Sequence, residues 1–204
     1  NEGVRDRLGG LHSARVVMHS VDFAELESAM RADDWNTVAD HMVRAARSVE
    51  AGGGECLLIG TNTGHKVAER IADAIAIPLI HLIDVIADEA HSLGLDRVGL
   101  LGTSYTMEQS FYRDRLATHG LRTVVPDQAG REEVNRIIFD ELVRGVFRAE
   151  SRSRLAEIVD ELQLGGVILG CTELELLLDD DDVECHLLPS TRLHVQAGLE
   201  WALH

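Results

Sequence analysis

The sequence predicts an α/β fold built on parallel sheets, and three observations carry that prediction. Residues 57–63 (Leu-Leu-Ile-Gly-Thr-Asn-Thr) and 167–173 (Val-Ile-Leu-Gly-Cys-Thr-Glu) are both apolar runs stopped by glycine and followed by small polar residues. A short apolar run with such a stop fits a strand buried on both faces. Around these two stretches, short strand-like runs alternate with helical patterns, the arrangement that gives a parallel sheet with helices on both faces. With one stretch in each half of the chain, the expected architecture is two pseudo-symmetric lobes, each a parallel four-stranded sheet flanked by helices. Residues 1–95 plus 188–204 would form the N-terminal lobe and 96–187 the C-terminal lobe. Ligands of open α/β sheets bind at the carboxyl ends of the strands, where both polar turns fall, so the site is expected in the cleft between the lobes.

Taken in order, residues 1–12 fit the tail of a helix stopped at Gly9-Gly10, and 14–20 a Val-rich strand. Asp22 is placed to cap a short helix ending near residue 31, and Asp34 a long amphipathic helix over 35–51 that Gly52-Gly53-Gly54 stops. Residues 55–60 are the first organising strand, 65–76 a helix, 77–81 a short strand, and 82–93 a helix closed by Gly94. The pattern then restarts: strand 97–102, the hydroxyl-rich turn Thr103-Ser104-Tyr105-Thr106, helix 107–119 and strand 122–126. Helices 131–148 and 151–162 follow, then the second organising strand 166–170 and a short helix 174–178. A solvated acidic loop at 179–182, strand 184–188 and helix 191–203 close the chain. The strand and turn at 97–106 have no counterpart in the first half; by symmetry the counterpart belongs before Asn1. A chain opening on Asn rather than Met is therefore expected to lack its native start, including the first strand of the N-terminal lobe.

Composition narrows the function. The chain has 204 residues, 45% of them hydrophobic, with mean hydropathy near zero (−0.02), and no apolar run approaches the ~20 residues of a membrane span. A formal charge of −16 argues against nucleic acid and anionic membranes as partners, because phosphate binding needs clustered cations. Lys66 is the single lysine. Cys56, Cys171 and Cys185 fit neither a disulfide framework nor metal-ligand spacing, and the histidines show no ligand spacing. No metal site is expected, and a reducing, cytoplasmic location is.

Cys171 follows a buried strand at the expected start of a helix. Free N–H groups and partial positive charge there would lower a thiol pKa from about 8.5 towards neutrality. Packing in the core is the other common fate of a cysteine, and Cys56 and Cys185, inside apolar strands, are assigned to it. Thr61 holds the equivalent place in the first half; Thr-Asn-Thr is also good helix-capping chemistry, and the residues alone leave both roles open. Asn62, Thr63, Thr103, Thr106 and Thr172 end on the same side of the sheets as Thr61, where hydroxyls and turn N–H groups suit a carboxylate.

The motifs Gly60-Thr61-Asn62-Thr63 with His65-Lys66, Gly170-Cys171-Thr172-Glu173, and Leu101 to Glu108 (LGTSYTME) together resemble the aspartate/glutamate racemase family. The resemblance runs from residue 1 to the closing helix. It implies a cofactor-independent enzyme, commonly a homodimer, acting on a small dicarboxylic amino acid. Family members place two cysteines, one per lobe, on opposite faces of the substrate α-carbon; one removes the α-proton while the other delivers a proton from the far side. Here Thr61 stands in the first position, as in the Thr/Cys subgroup that resembles L-aspartate/glutamate-specific racemases, so Cys171 and Thr61 are the expected catalytic pair. Asn62, Thr63, Thr103, Thr172, Glu173, Arg144 and Met30 are the expected substrate contacts, with Arg144 as the cation for the side-chain carboxylate. The chain lacks the family's GGMSW-like loop, carries Met30 where the subgroup favours Gln, and carries Ser190 where Asp is usual. Relatives with the same fold include decarboxylases and isomerases, one alternative reaction class for Cys171. A non-catalytic binder of acidic amino acids is the other.

Overall fold

The computed structural model describes all 204 residues, which divide into two compact units. The first comprises Asn1–Ile59, Gly64–His81 and Val195–His204; the second comprises Gly60–Thr63 and Leu82–His194.

Helices dominate the first unit. Helix α1 (Glu2–Leu8) ends at Gly9, whose φ of 73° favours glycine. The Asp22 side chain caps α2 (Phe23–Arg31) through Ala24 N at 3.0 Å. Asp34 caps α3 (Trp35–Ala51), accepting from Thr37 N at 3.0 Å and Thr37 Oγ1 at 2.6 Å. The carboxylate of Glu50, near the end of α3, accepts from Ala76 N at 2.6 Å and Ile77 N at 3.2 Å, tying the helix to the chain that follows α4 (Ala68–Ala72).

Strand structure in this unit falls short of the expectation. Residues 14–20 form no strand, with Val16 and Met18 72% and 82% exposed. The stretches 55–60 and 77–81 meet only in a parallel bridge, Leu57↔Leu79. A strand persists where a neighbour takes its N–H and C=O groups along its length, and these apolar runs meet in an isolated bridge rather than a ladder. The helix expected over 65–76 is instead a 3₁₀ segment, Thr63–Val67, followed by the short α4.

The second unit holds the parallel four-stranded sheet, in the order β2 (Arg122–Val124), β1 (Arg97–Gly102), β3 (Gly166–Gly170), β4 (His186–Pro189). Alternate residues feed two cores. On one face Val98, Leu100 and Ile168 pack with Ile83 and Ile86 of α5 (Leu82–Ser92) and with Tyr112 and Leu116 of α7 (Ser110–Thr118). On the other, Leu101, Val167 and Leu169 pack with Val134 of α8 (Gln128–Arg136) and with Leu155, Ile158 and Val159 of α9 (Ala149–Glu161). Helix α6 (Ser104–Glu108) follows β1, and α10 (Ser190–Leu203) follows β4.

Two expected helices and one expected loop are corrected here. The helix over 107–119 is interrupted at Gln109, whose backbone is extended. The helix over 131–148 becomes a π turn at Ile137–Glu141 and a 3₁₀ turn at Leu142–Arg144, ending at Gly145 with φ 71°. Glu141, 3% exposed, is anchored there by Ser151 Oγ at 2.6 Å and Arg136 Nη1 at 2.9 Å. Finally, the acidic run 179–182 is not simply a solvated loop: Asp179 and Asp182 cap a 3₁₀ turn reciprocally, and Arg152 donates to both at 2.7 Å. No helix is long and apolar enough to cross a membrane.

Candidate active site

Register sets the centre of the site. Gly102 of β1 pairs with Gly170 of β3, so Thr103 and Cys171 leave the sheet side by side at its carboxyl edge. Both glycines are required by space. A Cβ on Gly170 would lie 2.8 Å from the Leu101 carbonyl oxygen and 3.2 Å from Thr106 Cγ2; one on Gly102 would lie 2.9 Å from the Gly170 oxygen. The glycines thus let the fully buried Thr106 pack beneath the turn, with its hydroxyl 3.4 Å from that of Thr103. Asn135 of α8 fixes the same turn by accepting from Ser104 N at 2.9 Å.

Cys171 is 9% exposed and belongs to the core on the α8/α9 face. Its Sγ–H donates to Glu173 Oε2 at 3.0 Å, and Thr172 Oγ1 donates to that oxygen at 2.6 Å. Burial above all, then the negative charge of Glu173 and its hydrogen bond to the protonated sulfur, push the thiol pKa up. This reverses the sequence expectation of a lowered pKa. The segment that follows is a three-residue 3₁₀ turn, Leu174–Leu176, too short to supply a helix field, and the backbone N–H groups of Glu173 and Thr172 offset the upward shift only in part. Cys56 and Cys185 are half-buried, and burial raises their pKa values as well.

Residues 60–63 belong to the same unit as Cys171. Within them the Asn62 side chain, 4% exposed, is held from both ends. Tyr112 Oη donates to its Oδ1 at 3.0 Å, and its Nδ2 donates to Ser190 Oγ at 2.9 Å. Ser190 in turn donates to the Leu169 carbonyl at 2.7 Å, two residues before Cys171. The loop carrying Thr61 is thereby tied to the strand carrying Cys171.

The remaining expected contacts are placed as follows. Thr63, Thr103, Thr172 and Glu173 are half-buried, at or beside the two turns. Arg144 is exposed on the 3₁₀ turn after the π segment, its guanidinium 4.0 Å from Asp140. Met30 lies at the end of α2 in the first unit, 9% exposed. Lys66, also in the first unit, sits 3.6 Å over the Trp35 ring, and burial lowers its pKa. Sequence reasoning missed Tyr112 and Asn135 as partners of the site. The one signal for Tyr112 is a tyrosine four residues before Leu116 on the buried stripe of a helix, where a hydroxyl has to find a partner. No three His, Cys, Asp or Glu side chains are grouped to hold a metal ion.

The chain is similar to known proteins along its length. The family model described as Asp/Glu/hydantoin racemase matches residues 1–198. A candidate Asp/Glu racemase from Yersinia pestis superimposes with a TM-score of 0.91 at 41% identity, over 100% of this chain and 90% of that one. An aspartate racemase homologue from Pyrococcus horikoshii OT3 gives 0.88 at 30% identity with the same coverage. A protein encoded in the pnlA 3′ region of Pectobacterium carotovorum subsp. carotovorum, whose function is not described, is 31% identical over 128 residues, 60% of this chain and 84% of that protein.

Proposed function

The chain belongs to the Asp/Glu/hydantoin racemase family, and from that premise we propose that it inverts the α-carbon of L-aspartate or L-glutamate by two-base proton transfer between Cys171 and Thr61. The observation that carries this reading is the Cys171–Glu173 hydrogen bond at the carboxyl edge of the sheet, 3.0 Å long and reinforced by Thr172. A buried thiol with a raised pKa is a poor base until something removes its proton. Glu173 is positioned to do so, leaving a thiolate beside the substrate. The thiolate takes the α-proton: the C–H bond breaks, an S–H bond forms, and the electron pair spreads into the α-carboxylate. The Thr61 hydroxyl then gives its proton to the opposite face and is reprotonated from solvent. Thr103, and Thr172 once its hydroxyl turns from Glu173 to the substrate, bind the α-carboxylate with the turn N–H groups, Thr63 adds a hydroxyl donor, and Arg144 meets the side-chain carboxylate. A hydroxyl ionises far less readily than a thiol. The turnover numbers for the two enantiomers therefore differ, while kcat/KM stays equal because racemisation has an equilibrium constant of one.

The test is incubation of each pure enantiomer of aspartate and glutamate in deuterated water, followed by chiral separation and mass analysis. The reading requires the opposite enantiomer to appear carrying α-deuterium. Tight binding by calorimetry with neither inversion nor exchange would make the protein a binder instead. Consumption of an aryl-substituted malonate with loss of CO₂ would move Cys171 to decarboxylase chemistry.

A further inference from the structure

The buried chain Tyr112–Asn62–Ser190–Leu169 is a continuous polar network that joins the residue after Thr61 to the strand that ends just before Cys171. Tyr112 and Ser190 have no exposed surface, and Asn62 is 4% exposed. The three links measure 3.0, 2.9 and 2.7 Å. Each residue type is set by what it must donate and accept. Tyr112 supplies a donor to the Asn62 carbonyl, and burial pushes its own pKa up, so it stays protonated. Ser190 must accept from the Asn62 amide and donate to the Leu169 carbonyl, which a hydroxyl does and a carboxylate cannot. Asn62 alone joins the two, and its backbone neighbour is Thr61. Buried networks of this kind hold one geometry, because any broken link strands a polar group away from water.

We infer that Tyr112 and Ser190 are positioning residues: acting through Asn62, they fix the Thr61 loop relative to the strand end that bears Cys171. The inference rests on the racemase reading for its catalytic consequence, but the structural claim stands separately. Its strongest link is the Tyr112 hydroxyl. Tyr112→Phe keeps the ring in its core, among Leu116, Leu100 and Ile83, and removes only the donor.

The test compares wild type, Tyr112→Phe, Ser190→Ala, Thr61→Ala and the double variant Tyr112→Phe/Thr61→Ala. Amide hydrogen exchange reads the structural claim: protection of residues 60–63 should fall in Tyr112→Phe while that of β3 is retained. Kinetics in deuterated water read the catalytic one. Tyr112→Phe should lower kcat for inversion by about 10- to 100-fold, the scale of a misplacement near 1 Å, with KM changed less than about twofold. Exchange of the enantiomer whose α-proton faces Cys171 should persist. Tyr112→Phe should also add no further loss in the Thr61→Ala background, since both act on one group. Unchanged protection at 60–63, inversion at the wild-type rate, or an equal loss with and without Thr61 would each overturn the inference. Ser190→Ala breaks the chain from the other end and should repeat the pattern, so an unfolded Tyr112→Phe still leaves a decisive variant. If wild type neither inverts nor exchanges, the racemase reading fails, while hydrogen exchange still decides the positioning claim.

Discussion

At the scale of single residues, the chemistry turns on what Glu173 does to Cys171. The carboxylate raises the thiol pKa by its charge and by accepting the Sγ–H bond, and at the same time it is the nearest base for that proton. Glu173→Gln removes the charge, so the thiolate should form at lower pH than in wild type. Thiolate ultraviolet absorbance titrated against Cys171→Ser, which leaves the other two cysteines as background, reads this directly; an upward or null shift would refute the assignment. Turnover in Glu173→Gln should nevertheless fall, because the proton acceptor is gone. Cys171→Ser should lose about 10²–10⁴-fold in inversion, the usual worth of a positioned acid–base group. Much of this was legible in sequence. Cys171, Thr172 and Glu173 follow a glycine-stopped apolar run, which is enough to place them at a strand's carboxyl end. The sign of the thiol's shift was not legible. It depends on burial and on the brevity of the 3₁₀ turn after Cys171, both of them products of tertiary packing. Tyr112 was hidden for a similar reason, since its partner Asn62 is 50 residues away.

At the scale of elements, the strand ends work because they carry no side chain. Gly170→Ala would push a Cβ to 2.8 Å from the Leu101 carbonyl and 3.0 Å from Leu100 Cδ1, forcing β1 and β3 apart. Overpacking of this kind costs about 1–3 kcal/mol, measurable as a lower urea midpoint, and inversion should fall with it because Cys171 is the next residue. Wild-type stability in Gly170→Ala would show that this edge is looser than its geometry. Asp34→Ala gives a control far from the chemistry: loss of the α3 cap should cost about 0.5–2 kcal/mol and leave catalysis alone. The same contrast explains which elements were readable in advance. β1 and β3, each flanked by strands that satisfy both edges, lie where their apolar runs place them, whereas residues 14–20 have an equally strand-like sequence yet form no strand. Strand propensity is realised only by pairing. The π turn at Ile137–Glu141 was likewise unreadable, because Ser151 and Arg136, which anchor its Glu141, are supplied from other turns.

For the molecule as a whole, the formal charge of −16 and the buried carboxylates pull in opposite directions as pH falls. Protonating exposed acids relieves self-repulsion, a gain that salt already supplies when the Debye length is about 8 Å at 0.15 M. Protonating partnered acids removes folded-state interactions. Glu141 is the clearest case: the Ser151 hydroxyl first, then the Arg136 guanidinium, hold its carboxyl below the ordinary range although burial opposes them. Glu133 is also held low, by Arg136, and Asp182 is held low against its burial by the Asp179 backbone N–H and then by Arg152. A group with a depressed folded pKa binds fewer protons folded than unfolded, so its stabilisation is complete above the unfolded carboxylate value, near 4.3 for Glu, and is lost as pH falls through the folded value. At 0.15 M salt the melting temperature should therefore decline steadily as pH is lowered from about 5 through the carboxylate range. Glu141→Gln should start from a lower melting temperature at pH 7 and show a shallower decline. A wild-type melting temperature that held or rose on acidification would mean that relief of repulsion outweighs the partnered carboxylates. Parallel declines in the two proteins would mean that Glu141 is not among the groups responsible, and would move the weight to Glu133 and Asp182.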